Sequence, residues 1–276
     1  MTRRGGTSVS RLLSLLYTER YLRLSLRLLE RRTAPVVLEG FGPAGFPATR
    51  PGAPLRLGGV PARQHDPITC GAAVALLANA AADRALATWL STGRAPARAT
   101  PPELVDLPSD ARVEADAARR LALAQTATHR RLTRRALGPL PWPRSLGTPP
   151  WTLARDLRLP QVRYAHRPVD DRDQHLMDLT LRMLLAATSA GVPVPLYTGG
   201  DTRRGWAAAV PRHVVLALPG PGPQVRIFEP STAVVHRIDP EDLRARVRPH
   251  AALGGWDHLV WVLIPLVRPD SPAAGS

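Results

Sequence analysis

The chain of 276 residues contains no lysine, a single asparagine at Asn79 and a single cysteine at Cys70. One cysteine cannot form an internal disulfide, which excludes a small secreted scaffold held together by such bonds. Aromatic residues make up only 5% of the chain, whereas hydrophobic residues make up 44%. The sequence therefore predicts one large domain, or one domain with an appendage, whose core is filled by leucine, valine and alanine.

The formal charge of +15 is carried by arginine, which supplies all 37 basic residues. A charge of this size is typical of proteins that bind nucleic acids or membrane surfaces. Here, however, the arginines are dispersed and alternate with acidic residues, as in residues 84–120, and no recognition motif accompanies them. The absence of lysine indicates a coding bias toward arginine, and we do not predict nucleic-acid binding.

Residues 8–32 are predicted to form a basic amphipathic helix because leucines recur at helical spacing between arginines. We expect this helix to pack on the body of the protein, since a leucine stripe is the ordinary signal of a core-facing surface. Contact with anionic lipid is the alternative interpretation. Its uninterrupted apolar runs are far shorter than the roughly 18 residues that a membrane span needs. No small-residue cleavage site follows, so we expect no signal peptide and a cytoplasmic location.

The helical patterns come first in the chain and the strand patterns come late, which predicts an α+β fold with a mostly antiparallel C-terminal sheet. A helix beginning at Cys70 is expected to pack on that sheet. The predicted helices cover residues 70–89, 104–137, 152–157, 173–191 and 239–247, and the predicted strands include 161–169, four runs between 192 and 238, and 258–266. We divide the chain into an N-terminal helix and lead-in (1–40), a main domain (41–267) with a helical insertion at about 93–150, and a disordered tail (268–276).

The single cysteine stands where a reactive thiol would be favoured. A cysteine attacks as the thiolate, which the positive end of a helix dipole and a nearby imidazolium both stabilise. Pro67 cannot continue a helix on its N-terminal side, and Thr69 and Asp66 are candidate caps. Gly71 is expected to leave space beside the sulfur for a substrate backbone.

An acyl-transfer site also needs a base, a group that orients the base and a donor to the oxyanion. Other segments of the chain offer a candidate for each of these roles. His213 begins the strand pattern HVVLAL, and Glu229 ends the pattern VRIFE. If these two runs form a hairpin across the turn PGPGP, then Glu229 lies beside His213. Gln64 precedes Cys70 by six residues, and its amide together with the Cys70 backbone N–H could hold an oxyanion.

Some alternatives remain for these roles. His258 also leads a strand and is the rival base, while Asp239 is the rival orienting residue, although it has the pattern of a helix cap. His65 is too close in sequence to Cys70 to be a confident partner but could line a cleft. The other five histidines are expected to be surface or packing residues: His129, His166, His175, His236 and His250. No metal-ligand spacing and no phosphate-binding glycine loop is present, so we predict no metal and no cofactor.

The segments QHDPITCG, GVPVPLY, HVVLAL, VRIFEP and IDPEDL occur in an order that resembles the papain-like cysteine peptidases, and above all the C39-like peptidase branch. The resemblance covers roughly residues 60–266. It implies a papain-like fold in which Gln64 is the oxyanion glutamine, Cys70 the nucleophile, His213 the base and Glu229 the orienting residue. The chain departs from the family in having Glu where Asp or Asn usually precedes the proline, in the long segment 93–150, and in lacking a second cysteine after the nucleophile.

The residues and the resemblance together predict a thiol-dependent hydrolase that cleaves a peptide or amide bond in a peptide or protein substrate. An acyl or peptidyl transferase of the transglutaminase type shares the first half-reaction and remains an alternative. A catalytically inactive binding protein that uses its basic surface is the other. The sequence does not determine the oligomeric state.

Overall fold

A computed structural model of the chain describes residues 9–42, 46–47, 52–94, 100–199, 211, 213–244 and 248–268. It confirms the α+β class with a mostly antiparallel sheet. The helices are α1 (Val9–Glu30), α2 (Cys70–Ala82), α3 (Arg84–Thr92), α4 (Pro102–Val105), α5 (Ala117–Arg134), α6 (Pro150–Asp156), α7 (Gln174–Ser189) and α8 (Pro240–Arg244). The predicted tail lies outside the described residues except for Arg268.

Six strands form the main sheet, and every neighbouring pair in it is antiparallel. A separate two-stranded ribbon joins β1 (Arg56–Leu57) to β2 (Val60–Pro61). The main strands are β3 (Val162–Pro168), β4 (Val194–Gly199), β5 (His213–Leu218), β6 (Val225–Glu229), β7 (Val234–Ile238) and β8 (His258–Val267), in the spatial order β3-β8-β4-β5-β6-β7. Both β4 and β5 are buried along their whole length, which places them at the centre of the core.

The helix that begins at Cys70 ends earlier than the sequence pattern predicts. The chain breaks after α2, and α3 continues at an angle of 118° to it. Asp83 causes the break because its carboxylate accepts the backbone N–H groups of Ala85 and Leu86 at 2.8 and 3.1 Å and so caps a new helix. Among the described residues, no single helix has the length and apolar character of a membrane span; the bent pair α2 and α3 meets that test only when the two are taken together.

The N-terminal helix α1 is packed against the body of the protein through one face. Leu22, Leu26 and Leu29 are buried on that face. Two hydroxyl groups anchor the helix to the edge of the sheet: Thr18 donates to the carbonyl of Pro168 at 2.8 Å, and Ser25 donates to the carbonyl of Pro265 at 2.5 Å. The leucine stripe of α1 therefore serves as a core-facing surface, as the sequence spacing predicts.

The predicted continuous helix 104–137 is wrong, since the structure divides this stretch into separate pieces. The short helix α4 ends near residue 105, and α5 begins only at Ala117, where Asp116 caps it by accepting the Arg119 N–H at 2.7 Å. Pro108 lies between the two helices, where its missing N–H and fixed φ do not support a helix interior.

A buried polar network ties the insertion to α2. Glu103 is fully buried, and its carboxylate accepts from Arg158 at 2.5 and 2.7 Å and from Asn79 at 3.0 Å. Asp156 receives two hydrogen bonds from Arg131 at 3.0 Å. The only asparagine of the chain thus connects the Cys70 helix to α4 through the Glu103 carboxylate and to α6 through the backbone carbonyl of Asp156.

Replacement of Glu103 by Gln is expected to lower the free energy of unfolding by about 3 kcal/mol, because breaking a buried ion pair leaves an uncompensated charge. Chemical denaturation measures this loss. The matched control is Glu241→Gln, which removes a largely exposed partner of Arg244 and should change stability by less than about 1 kcal/mol. Equal losses in the two variants would contradict the role assigned to Glu103.

Candidate functional site

Cys70 is the first residue of α2 and is buried, with 3% of its surface exposed. The first backbone N–H groups of a helix have no intrahelical acceptor, and the helix dipole makes this end positive. The sulfur is therefore at the end of the helix that stabilises a thiolate. Twelve of the thirteen residues of α2 are buried, so the helix holds its N-terminus against the sheet.

His213 and Glu229 meet on adjacent strands as the predicted hairpin requires. The pairing of Leu216 with Phe228 sets the register of β5 and β6. His213 Nε2 lies 2.7 Å from Glu229 Oε1. The Cys70 side chain lies near the same ring, since its hydrogen-bonding and charge interactions raise the pKa of His213. Because Nε2 is held by the carboxylate, Nδ1 is the ring nitrogen left for the thiol.

The carboxylate of Glu229 is almost fully buried and accepts four further hydrogen bonds besides that of His213. The Ser231 N–H and hydroxyl lie 2.8 and 2.7 Å from it, and the Thr232 N–H and hydroxyl lie 2.9 and 2.7 Å from it. Burial by itself raises the pKa of Glu229, but the bonds from His213, Thr232 and Ser231 outweigh it and lower the pKa to about 2. Glu229 is therefore a carboxylate over the whole physiological pH range.

The imidazole of His213 is held in its charged form by its two partners. Burial lowers its pKa, but the hydrogen bonds to Cys70 and Glu229 and the negative charges of both groups raise the pKa to about 9. At neutral pH the raised pKa keeps the His213 ring protonated beside the carboxylate of Glu229. The helix end and the imidazolium thus act on the same sulfur, as expected for an activated cysteine.

The space that Gly71 was expected to leave for a substrate is already filled. A Cβ atom on Gly71 would lie 2.5 Å from Cβ and 2.6 Å from Oγ1 of Thr148. The prediction of an open approach beside the sulfur is therefore wrong, and Gly71 instead permits close packing of the loop before α6. The predicted caps also differ, since Thr69 makes no capping bond to α2 and its hydroxyl bonds to the backbone of Asp66.

Gln64 is tied to the site by its backbone and its side chain. Its N–H donates to the carbonyl of Pro230, next to Glu229, at 2.7 Å. Its side-chain Nε2 donates to the carbonyl of Asp66 at 2.9 Å, which leaves the second amide hydrogen for another acceptor. The structure brings Gln64 to the segment that carries Glu229, and its action on an oxyanion stays a prediction.

Two residues near the site were not found from the sequence. Tyr197 on β4 is almost fully buried, and its hydroxyl has no hydrogen-bond partner in the described part of the chain. Burial raises its pKa well above the ordinary value, and the charge of Cys70 raises it further, so the phenol lies within electrostatic reach of the thiolate. Gly254 lies against the His213 ring, because a Cβ there would be 2.3 Å from its Cδ2. Neither residue has a local pattern that could have identified it, since both contacts form only in the tertiary structure.

The rival base His258 belongs to a different cluster. Its Nδ1 lies 3.0 Å from Asp171 Oδ1, and its Nε2 lies 3.2 Å from Arg172. Asp171 could not be paired with His258 from the sequence because the two residues are 87 positions apart in the chain. Asp239, the rival orienting residue, accepts a hydrogen bond from Gln224 at 3.2 Å and does not hold His213.

Three of the remaining histidines contact residues that are not part of the candidate site. His175 contacts Glu19, His250 accepts the Ala252 N–H at the start of a 310 helix, and His166 stacks on Trp261. His129 is buried on α5, and burial lowers its pKa. The structure contains no group of three or more His, Cys, Asp or Glu side chains that could hold a metal ion within the residues it describes.

Comparison with known proteins gives no family model, no curated protein and no solved structure that matches the chain.

The Glu229→Gln variant is expected to lower the pKa of His213 from about 9 by one unit or more, because it removes the carboxylate charge beside the ring. A hydrogen bond to a charged group is worth about 1.5–3 kcal/mol, and one pKa unit corresponds to about 1.4 kcal/mol. Titration of the His213 ring protons by NMR measures the change. Glu241→Gln is the control, and a His213 pKa that is the same in both variants would contradict the charge pair.

Folding stability is expected to fall in acid because of Glu229. Its pKa is about 2 in the folded protein against 4.5 for an ordinary glutamate, so the stabilisation is complete above about pH 4.5 and is lost as the pH falls toward 2. Urea unfolding at a series of pH values measures the slope in this window. The slope should be shallower in Glu229→Gln than in the parent protein; identical slopes would show that Glu229 does not carry this stabilisation.

Proposed function

We propose that this protein is a cysteine hydrolase that cleaves a peptide or amide bond through Cys70, His213 and Glu229 on a papain-like fold of the C39-like type. The observation that carries the proposal is one buried imidazole that lies 2.7 Å from a buried carboxylate and whose pKa is raised by that carboxylate and by the only thiol of the chain. A cysteine buried only for packing needs neither partner.

The geometry supports the following sequence of steps. The Cys70 thiolate attacks the carbonyl carbon of the substrate, and the carbonyl electron pair moves to its oxygen. The N-terminal N–H groups of α2 face this developing charge, and the amide of Gln64 is the proposed second donor. As the tetrahedral intermediate collapses, the imidazolium of His213 gives its proton to the leaving amine, which breaks the carbon–nitrogen bond and leaves a thioester on Cys70.

Water then completes the cycle. Neutral His213 takes a proton from a water molecule, whose oxygen attacks the thioester carbonyl. The carbon–sulfur bond breaks, the acid product leaves, and the thiolate–imidazolium pair is restored. Throughout the cycle Glu229 keeps its charge and holds Nε2, so Nδ1 remains directed to the sulfur and to the reacting atoms.

The proposal predicts that Cys70 reacts with iodoacetamide at pH 6 at least about tenfold faster in the parent protein than in His213→Ala. An ordinary thiol has a pKa of about 8.5 and is almost fully protonated at this pH. Intact-mass spectrometry measures the rate without ambiguity, because the chain has one cysteine. Digestion of a proteome-derived peptide mixture, followed by identification of new termini, measures cleavage in parallel.

The controls separate reactivity from folding. Cys70→Ala should show neither labelling nor cleavage, and His258→Ala should behave as the parent protein because His258 pairs with Asp171 and not with the thiol. Labelling of the parent that rises only near pH 8.5, together with no cleavage, would contradict the proposed hydrolase. The same outcome would favour a binding protein with an ordinary thiol.

A further inference from the structure

A groove of about 510 Å³ runs between the loop that precedes Cys70 and the helix α5. One wall is the loop segment 61–67, and the opposite wall is a strip of small and apolar residues on α5. Ser231 also lines the groove. The lining residues are Pro61, Arg63, Gln64, His65, Asp66, Pro67, Ala118, Leu121, Ala122 and Ser231.

The groove borders the candidate site through two of its lining residues. Gln64, the proposed oxyanion donor, lies in its wall, and Ser231 donates both its N–H and its hydroxyl to Glu229. The bond from the Gln64 N–H to the Pro230 carbonyl, 2.7 Å long, joins these two parts of the lining. A ligand in the groove would therefore lie against the same segments that hold the oxyanion and the carboxylate.

Helix α5 fixes the position of this wall through Gln125, which is fully buried. Its Oε1 accepts the His65 N–H at 2.7 Å, and its Nε2 donates to the Arg63 carbonyl at 2.8 Å. One side chain thus holds the backbone on both sides of Gln64. The helical insertion is in this way a positioning element for the loop before Cys70, and not merely an addition to the fold.

The side chains that line the groove indicate which kind of ligand it binds. Ala118, Ala122 and Pro67 contribute small side chains to the lining, beside which an extended backbone can lie. Arg63 is exposed and forms no ion pair among the residues that the structure describes. The one acid of the lining, Asp66, already accepts the Ile68 N–H at 2.9 Å. Asp66 is half-buried whereas Arg63 is exposed, so Arg63 carries the more exposed charge of the lining.

We propose that this groove binds an extended segment of a peptide substrate and that Arg63 recognises an acidic residue in it. This inference rests on the proposed hydrolase function, because it assigns the groove to the substrate of that same site. It gives the helical insertion a role in substrate selection. Helix α5 supplies one wall of the groove, and Gln125 fixes the position of the loop that forms the other wall.

The experiment compares cleavage of a proteome-derived peptide mixture by four variants. Ala122→Trp fills the groove and should lower peptide cleavage about tenfold or more, while the rate of iodoacetamide labelling at pH 6 stays within about twofold of the parent. Arg63→Glu should replace an enrichment of acidic residues at a fixed distance from the cleaved bond with an enrichment of basic residues. The matched controls are Arg130→Trp and Arg134→Glu, exposed positions of α5 outside the groove, and they should keep the parent rate and preference.

The possible failures are distinguishable. Cleavage with no acidic preference, and with no effect of Ala122→Trp and Arg63→Glu, overturns the groove assignment but leaves the hydrolase in place. An unreactive Cys70 with no cleavage in the parent overturns both. If Ala122→Trp proves unfolded by circular dichroism, the surface variant Arg63→Glu decides the outcome by itself, and an unchanged preference in it overturns the inference.

Discussion

The buried carboxylate of Glu229 is the group on which the rest of the site depends. A charge that is removed from water costs several kcal/mol unless it is fully bonded. Glu229 meets this requirement with five donors, one of them the ring of His213. In the turn after β6, Ser231 and Thr232 both direct their N–H and hydroxyl groups back to that carboxylate. These four hydrogen bonds stabilise the conformation of the turn. The orientation of the His213 imidazole follows from this arrangement.

The surrounding fold keeps these groups in place by packing that leaves little freedom. The α2 helix is buried along almost its whole length, so Cys70 is held at its tip. Thr148 lies against Gly71 on one side, and Gly254 lies against the His213 ring, so a side chain larger than glycine at either position would displace a group of the site. The side chain of Glu229 is long enough to hold the ring, since its carboxylate lies 2.7 Å from His213.

The helical insertion has two connections to the region of the candidate site. The Asn79–Glu103 contact joins the Cys70 helix to α4, and Gln125 joins α5 to the loop that carries Gln64. A substitution in the insertion can therefore change either the stability of the core or the position of the loop, and the two effects have different readouts.

Local sequence determined the class of the fold, the strand that begins at His213, the hairpin that brings Glu229 beside it, and the helix that begins at Cys70. These features follow from periodicity and turn chemistry within short windows, which is why they could be predicted. The break at Asp83 and the separate start of α5 were missed because single capping residues outweighed a continuous helical pattern. Three contacts were decided only by the tertiary structure. Thr148 fills the space beside Gly71, Asp171 pairs with His258 and so removes it as a candidate base, and Gln125 holds the loop around Gln64. Each of these contacts joins residues more than 50 positions apart, and such pairings are set by the packing of whole elements and not by any local pattern of residues.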